Sequence, residues 1–164
     1  MSTENKNQVS IICRTLGRPE LQEALRSISS QDYANIEIIL VDAAGENSLD
    51  SAAAGDRPLV LVTTGAALNR SQAANAGLEA AHGKYIQFLD EDDWIDSNHV
   101  SQLVSALESS EEKAAAYSST QKTNATGESL DYIFREDFDP IMLMRDNYIP
   151  VSYTHLTLPT IYSV

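Results

Sequence analysis

"YIQFLDEDDWID", residues 85–96, is the stretch on which the reading of this chain turns. Its first half is apolar on both faces and reads as a strand buried on both sides. Four acids follow at once: Asp90, Glu91, Asp92 and Asp93. Adjacent carboxylates repel one another unless water or a positive group sits among them. A buried strand that ends this way asks for a cation, a cationic ligand or full solvation at its C-terminal end.

Working back from that strand, "NRSQAANAGLEAAHG" (69–83) reads as a helix of small residues, closed by Gly83 as a C-cap. Its alanines allow a close approach to a sheet. "PLVLVTT" (58–64) reads as a strand, and residues 43–57 as a loop of Ala, Gly, Ser and acidic residues. "IEIILVD" (36–42) is nearly all apolar, the mark of a parallel strand covered on both faces. "RPELQEALRSISSQ" (18–31) has Pro19 at a helix start and Leu21, Leu25 and Ile28 on one face. "VSIIC" (9–13) is the first strand. On the other side, "DSNHVSQLVSALESS" (96–110) carries Val100, Leu103, Val104 and Leu107 at helical spacing, with "DSN" as its N-caps. "AAAYSST" is a weaker strand, and "LDYIF" and "FDPIMLM" read as a strand and a short helix. This order predicts an α/β fold: a mainly parallel, Rossmann-like sheet with helices on both faces, incomplete at the C-terminus.

The composition narrows the function. The 164 residues carry a formal net charge of -13, which disfavours nucleic acid or anionic lipid as a partner held by bulk electrostatics. A phosphate compound would need a local cation or backbone donors. One cysteine, Cys13, excludes a disulfide framework and reads as a small buried hydrophobe. The polar start "MSTENKNQ" has no signal-peptide core, and no apolar run reaches a membrane span. A cytoplasmic setting follows, in solution or at the cytoplasmic face of a membrane. Residues 1–8 are expected to be disordered and 9–150 to form one domain. Every Asp, Glu, Lys and Arg lies before residue 151, so "VSYTHLTLPTIYSV" (151–164) is set apart as a non-native tail.

Ligands of open α/β sheets bind beyond the carboxyl ends of the strands. Those ends deliver Arg14, Thr15 and Leu16 from the first strand, Asp42 from the second, and the acids 90–93 from the fourth. Alternation along an extended chain would turn Asp90 and Asp92 into one cavity and Glu91 and Asp93 away from it. Two carboxylates suit Mg2+ or Mn2+ completed by water and substrate phosphates, not a closed calcium cage. An EF-hand is excluded, because Trp94 would fall at a ligand position and no Gly follows it. His82 and His99 have no ligand-type partner at metal spacing. Tyr85, Phe88 and Trp94 read as packing rather than sugar-stacking residues, and "ESSEEK" as a solvated helix end.

"VSIICRTLGRPELQEALRSISSQDYANIEIILVD", followed by "NRSQAANAGLEAAHGKYIQFLDEDDW", resembles the N-terminal half of a family 2 glycosyltransferase of GT-A fold, over about residues 8–150. The resemblance implies transfer of a sugar from a nucleotide-diphosphate sugar, a UDP-sugar by preference, to a saccharide or other hydroxyl acceptor. It also implies help from Mn2+ or Mg2+ and an inverting course. By position it implies that Arg14, Thr15 and Leu16 line the nucleoside and that Asp42 is the first acid of a pair. Arg70 and Asn75 would approach the donor. Asp90 and Glu91 would lie beside the ribose and diphosphate, with Asp92 holding the metal.

The chain departs from the pattern in two places. Arg14-Thr15-Leu16 replaces Pro-Thr-Tyr, which removes an aromatic partner for the base, and Ala43 replaces the second acid after strand two. The acidic segment that supplies a catalytic base in the family has no match, so no base is assigned. The chain is therefore expected to keep the donor-binding half. An exposed sheet edge, where an acceptor half would pack, predicts self-association. The alternative is a non-catalytic nucleotide-binding or interaction domain, favoured by Ala43 and the unassigned base. A sugar-nucleotidyltransferase wants a Gly-rich loop after strand one, and "CRTLGRPE" has a single glycine.

Overall fold

A computed structural model describes residues 7–46, 49–109, 113–124, 126–146, 148–149 and 154–157. Most of the N-terminal stretch expected to be disordered, residues 1–6, lies outside them. The element order is β1 (Val9–Thr15), α1 (Leu21–Ser29), β2 (Ile36–Asp42), β3 (Leu59–Val62), α2 (Arg70–Ala80), β4 (Tyr85–Asp90) and α3 (His99–Glu108). Then come β5 (Ala115–Tyr117), β6 (Thr120–Thr123), β7 (Ser129–Phe134), α4 (Pro140–Arg145) and β8 (Thr154–Thr157).

The main sheet runs β3-β2-β1-β4-β8-β5, and β6 pairs with β7 in a separate hairpin. Strands β3, β2, β1 and β4 are parallel. Successive residues of a strand face opposite sides, so the apolar runs feed two cores. Ile11, Cys13, Ile38, Leu40, Tyr85 and Leu89 pack against α1 and α3. Ile12, Ile39, Val41, Ile86 and Phe88 pack against α2. The expected α/β sheet with helices on both faces is what the chain forms. Gly77 explains how α2 sits so close: a Cβ there would run into the Ile12 side chain and come within 3.2 Å of Val41.

Two local expectations differ. Gly83 does not cap α2, which ends at the extended Ala81. Gly83 instead passes the start of β1, where a Cβ would lie 2.7 Å from the Ser10 nitrogen and 2.8 Å from the Gln8 oxygen. The Asn98 side chain makes no capping bond to α3. Gln31, beyond the end of α1, does that work: its Oε1 accepts from Val100 N at 3.0 Å, and its Nε2 donates to Asp96 O at 2.7 Å. Within the segment set apart as a tail, residues 154–157 form a strand. Thr154–Thr157 pairs antiparallel with β4 on one side and β5 on the other.

Candidate active site

The parallel register places Arg14 of β1 opposite Asp90 of β4, and Thr15 opposite Asp42 of β2. Arg14 and Asp90 share the α2 face of the sheet, beside Phe88. The Arg14 guanidinium lies 5.5 Å from the Phe88 ring centroid and is ion-paired, through Nη2, with Asp90 Oδ1. At the strand ends a cleft of about 200 Å³ opens. Arg14, Arg18 and Arg70 line it together with Asp90, Glu91 and Asp92; Thr15, Leu16, Ala43, Leu68 and Ala73 complete the wall.

β4 ends at Asp90, where Asp93 N donates to Asp90 O at 3.1 Å, closing a turn. Glu91 lies on the face opposite to Asp90, as alternation expects, and from there it meets Thr15 and the β1–α1 turn. Only 4% exposed, its carboxylate accepts from Thr15 Oγ1 at 2.5 Å, from Leu16 N at 3.1 Å and from Arg18 N at 3.1 Å. Arg18 Nε adds an ion pair at 3.2 Å. Glu91 therefore fixes the shape of the turn that forms one side of the cleft. The thiol of Cys13, just behind it, is fully buried, and burial, reinforced by Glu91 and Asp90, pushes its pKa far up. That thiol stays protonated and packs as a hydrophobe.

Asp92 differs from its neighbours. Its side chain is 58% exposed, and its ion pair with Arg18 Nη1 is long, at 3.7 Å. No group of three or more metal-ligating side chains occurs among the described residues, so the protein offers no closed cage. The donor set nonetheless fits Mg2+ or Mn2+, which need only one or two carboxylates when phosphate oxygens and water complete the shell. Asp92 is the open carboxylate, and Asp90 stands next to it, held by Arg14.

The structure thus brings together Arg14, Thr15, Leu16, Arg70, Asp90, Glu91 and Asp92 of the residues expected from sequence. It does not bring Asp42 or Asn75 to the cleft. Asp42 is fully buried, and its Oδ1 accepts from Ala44 N at 3.0 Å and Gly45 N at 2.8 Å, so it shapes the β2 exit. Gly45 adopts φ 76° there, and a Cβ would strike the Ala66 backbone. That requirement accounts for the glycine without a role in ligand binding. Asn75 is exposed on α2, one turn past the end that borders the cleft. Arg18 was missing from the expected set. Its signal was a second arginine four residues after Arg14 in the same turn, hidden because "RPE" reads so readily as a helix start.

Comparison with known proteins follows the same outline. The family model for glycosyl transferase family 2 matches residues 10–157. Glycosyltransferase GlyA of Streptococcus pneumoniae is 39% identical over 88 residues, covering 51% of this chain and 12% of GlyA. The mannosyltransferase PcManGT from Pyrobaculum calidifontis, solved with GDP-Man and Mn2+, superposes with a TM-score of 0.57. It is 25% identical, over 68% of this chain and 35% of its own. TarS 1-349 of S. aureus, solved with UDP-GlcNAc, has a TM-score of 0.53 at 20% identity, over 62% of this chain and 31% of its own. The chain spans far less than two-thirds of each of these relatives.

Proposed function

The chain belongs to glycosyl transferase family 2, and from that premise we propose that its cleft holds a nucleotide-diphosphate sugar for transfer to an acceptor hydroxyl. The observation that carries the reading is the meeting of three arginines and three acids at one sheet rim, where Arg14 pairs with Asp90, and Arg18 with Glu91 and, loosely, with the exposed Asp92. A diphosphate needs positive charge close by, and Arg14, Arg18 and Arg70 are the cations that line the cleft. Arg14 Nε is buried and has no partner among the described residues, which leaves donor capacity beside the site. Guanidinium groups bind phosphate oxygens through paired donors.

Asp92, with Asp90 beside it, would hold Mn2+ or Mg2+. When bound, such an ion supplies Lewis-acid charge to a departing diphosphate. Thr15 and Leu16 form the wall on which the nucleoside would lie. In the transfer, the acceptor oxygen bonds to the anomeric carbon as that carbon's bond to the diphosphate oxygen breaks. The bonding pair leaves with the nucleoside diphosphate, the acceptor proton passes to a carboxylate base, and the configuration inverts. The base is proposed to come from an acceptor-binding half beyond this chain. The setting is proposed to be the cytoplasm or its membrane face. Among the described residues no helix is long and apolar enough to cross a membrane.

Calorimetric titration with UDP and GDP, each with and without Mn2+, tests the reading. The expected result is Mn2+-enhanced binding, tighter for UDP, with the enhancement lost in Asp92→Ala. Folded protein that binds neither nucleotide under any of these conditions would overturn it.

A further inference from the structure

Helix α4 has only 6 residues. An isolated helix shorter than about 12 residues does not persist in water, so a short one lives on the burial of its apolar face. Yet none of the residues of α4 is buried. Ile141 and Met144, three positions apart and therefore on one face, are 73% and 82% exposed. Phe138, just before the helix, is 63% exposed. Large apolar side chains gathered on one exposed surface mark an interaction site.

Hydrogen bonds, not packing, hold this surface in place. Asp139 Oδ1 accepts from Ile141 N at 2.8 Å and from Met142 N at 3.1 Å, which caps the first turn. Pro140, at the first helical position, has no N–H to satisfy there. Tyr148 Oη accepts from Asp139 N at 2.7 Å. The Tyr117 hydroxyl, on β5, donates to Glu136 O at 3.0 Å and ties the segment before α4 to the edge of the main sheet. The fold thus fixes a short helix at the sheet edge and turns its apolar face to water.

We propose that this face docks an amphipathic helix of a partner protein, one whose apolar stripe is flanked by Lys and Arg. Shape and charge choose that occupant. Ile141 and Met144 form a ridge of the i, i+3 kind, which fits between the side chains of a second helix, and the Met144 thioether adapts to what it meets. An extended peptide would instead need an unpaired strand edge. Between residues 135 and 146 stand Glu136, Asp137, Asp139 and Asp146 against Arg135 and Arg145. Arg145 Nε is already ion-paired with Asp146 at 3.1 Å. Acids therefore precede and follow the apolar face, and a basic flank on the partner meets them. A second copy of this chain, at net charge -13 and with the same rim, is repelled, and so is an anionic bilayer. Phe138, Ile141 and Met144 lie outside the donor cleft, so the docking surface stands apart from the donor reading.

Fluorescence anisotropy of two labelled synthetic peptides tests the proposal: an amphipathic helix of leucine and lysine, and its leucine–glutamate counterpart, each titrated with the full chain. The lysine peptide is expected to bind saturably, and the glutamate peptide about tenfold more weakly or not at all. Ile141→Gln and Met144→Gln, which keep good helix formers in α4, should each weaken the lysine peptide roughly tenfold, the loss of one buried apolar side chain. Leu61→Gln alters an exposed leucine of β3, at the opposite edge of the sheet, and should leave binding unchanged. No saturable binding of the lysine peptide overturns the proposal. Equal binding by all three variants overturns it too, because the peptide would then follow only the net charge of the chain. Binding to phosphatidylcholine vesicles that Met144→Gln abolishes, without peptide binding, would assign the face to a lipid surface instead. A dimer in sedimentation that Met144→Gln dissociates would assign it to a second copy, and either result also overturns the partner helix.

Discussion

At the scale of the residue, Arg18 and Glu91 show how a sheet rim of like charge is kept stable. Three of the four acids that seemed unpartnered in sequence are matched by Arg14 of β1 and Arg18 of the β1–α1 turn, which relieves repulsion within the fold. On the proposed reading, the half-exposed Arg18 exchanges Asp92 for a phosphate. Arg18→Ala should lower stability by about 1–2 kcal/mol, because the buried Glu91 loses its cation but keeps its Thr15 and backbone donors. It should also weaken UDP binding roughly tenfold, the loss of one charge-assisted contact, while tightening Mn2+ binding measured by electron paramagnetic resonance without nucleotide. If neither binding constant moves, Arg18 is merely a surface partner. His99 offers a test by pH. Burial lowers its pKa from 6.5 to about 4, so the unfolded chain binds the proton more readily. The stability it confers is fully present above about pH 6.5 and is lost as pH falls toward 4, on the order of 3 kcal/mol in all. Urea unfolding of wild type and His99→Gln across that window should give a difference that shrinks as pH falls; a constant difference contradicts it. Neither residue's role was legible in the chain. Partners such as Gln87, Ser118 and the β1–α1 turn come from elsewhere in the fold, and the period-two rule gives Glu91 its face but not the turn that it meets there.

At the scale of the element, the sheet was the legible part. The runs in β1, β2 and β4 are apolar at odd and even positions alike, and only a parallel strand buried on both faces needs that. The composition of α2 was equally telling, because its small residues have no use except close approach. Gly77→Val should lower stability by about 2–3 kcal/mol through overpacking against Ile12 and Val41. The exposed change Glu79→Ala on the same helix should shift it by less than about 0.5 kcal/mol. Thermal unfolding of the two variants settles whether packing, rather than helix propensity, fixes α2; equal effects would argue for propensity. Caps were less legible than strands. The bond that closes the start of α3 comes from Gln31, 69 positions away from the Val100 amide it satisfies, and no local signal encodes it. Asp42 lies at the expected strand end. Its carboxylate turns to the Ala44 and Gly45 amides, on the face opposite to Arg14 and Asp90.

At the scale of the whole molecule, the open question is what closes the sheet beyond β4. Strands β1, β2 and β3 extend it to one side in parallel order, and β8 extends it to the other by running antiparallel between β4 and β5. Four residues from a segment without a single charged side chain do this. That composition suits a strand inside a sheet as well as it suits a stretch foreign to the domain, and sequence alone offered no means to choose. Pairing decides the physical consequence. Without β8, the polar backbone groups along one side of Tyr85, Ile86 and Gln87 lose their partners, and β5 loses its connection to the sheet. A bare edge next to an apolar core is a template for another chain. A chain ending at residue 150 is therefore expected to melt about 5–10 °C lower, on the order of 2–3 kcal/mol for a domain of this size. It should also elute from size-exclusion chromatography as concentration-dependent oligomers where the full chain does not. A truncated chain with unchanged Tm and a single monomer peak would mean that β8 only rests on the sheet, and that the domain proper is complete by residue 150.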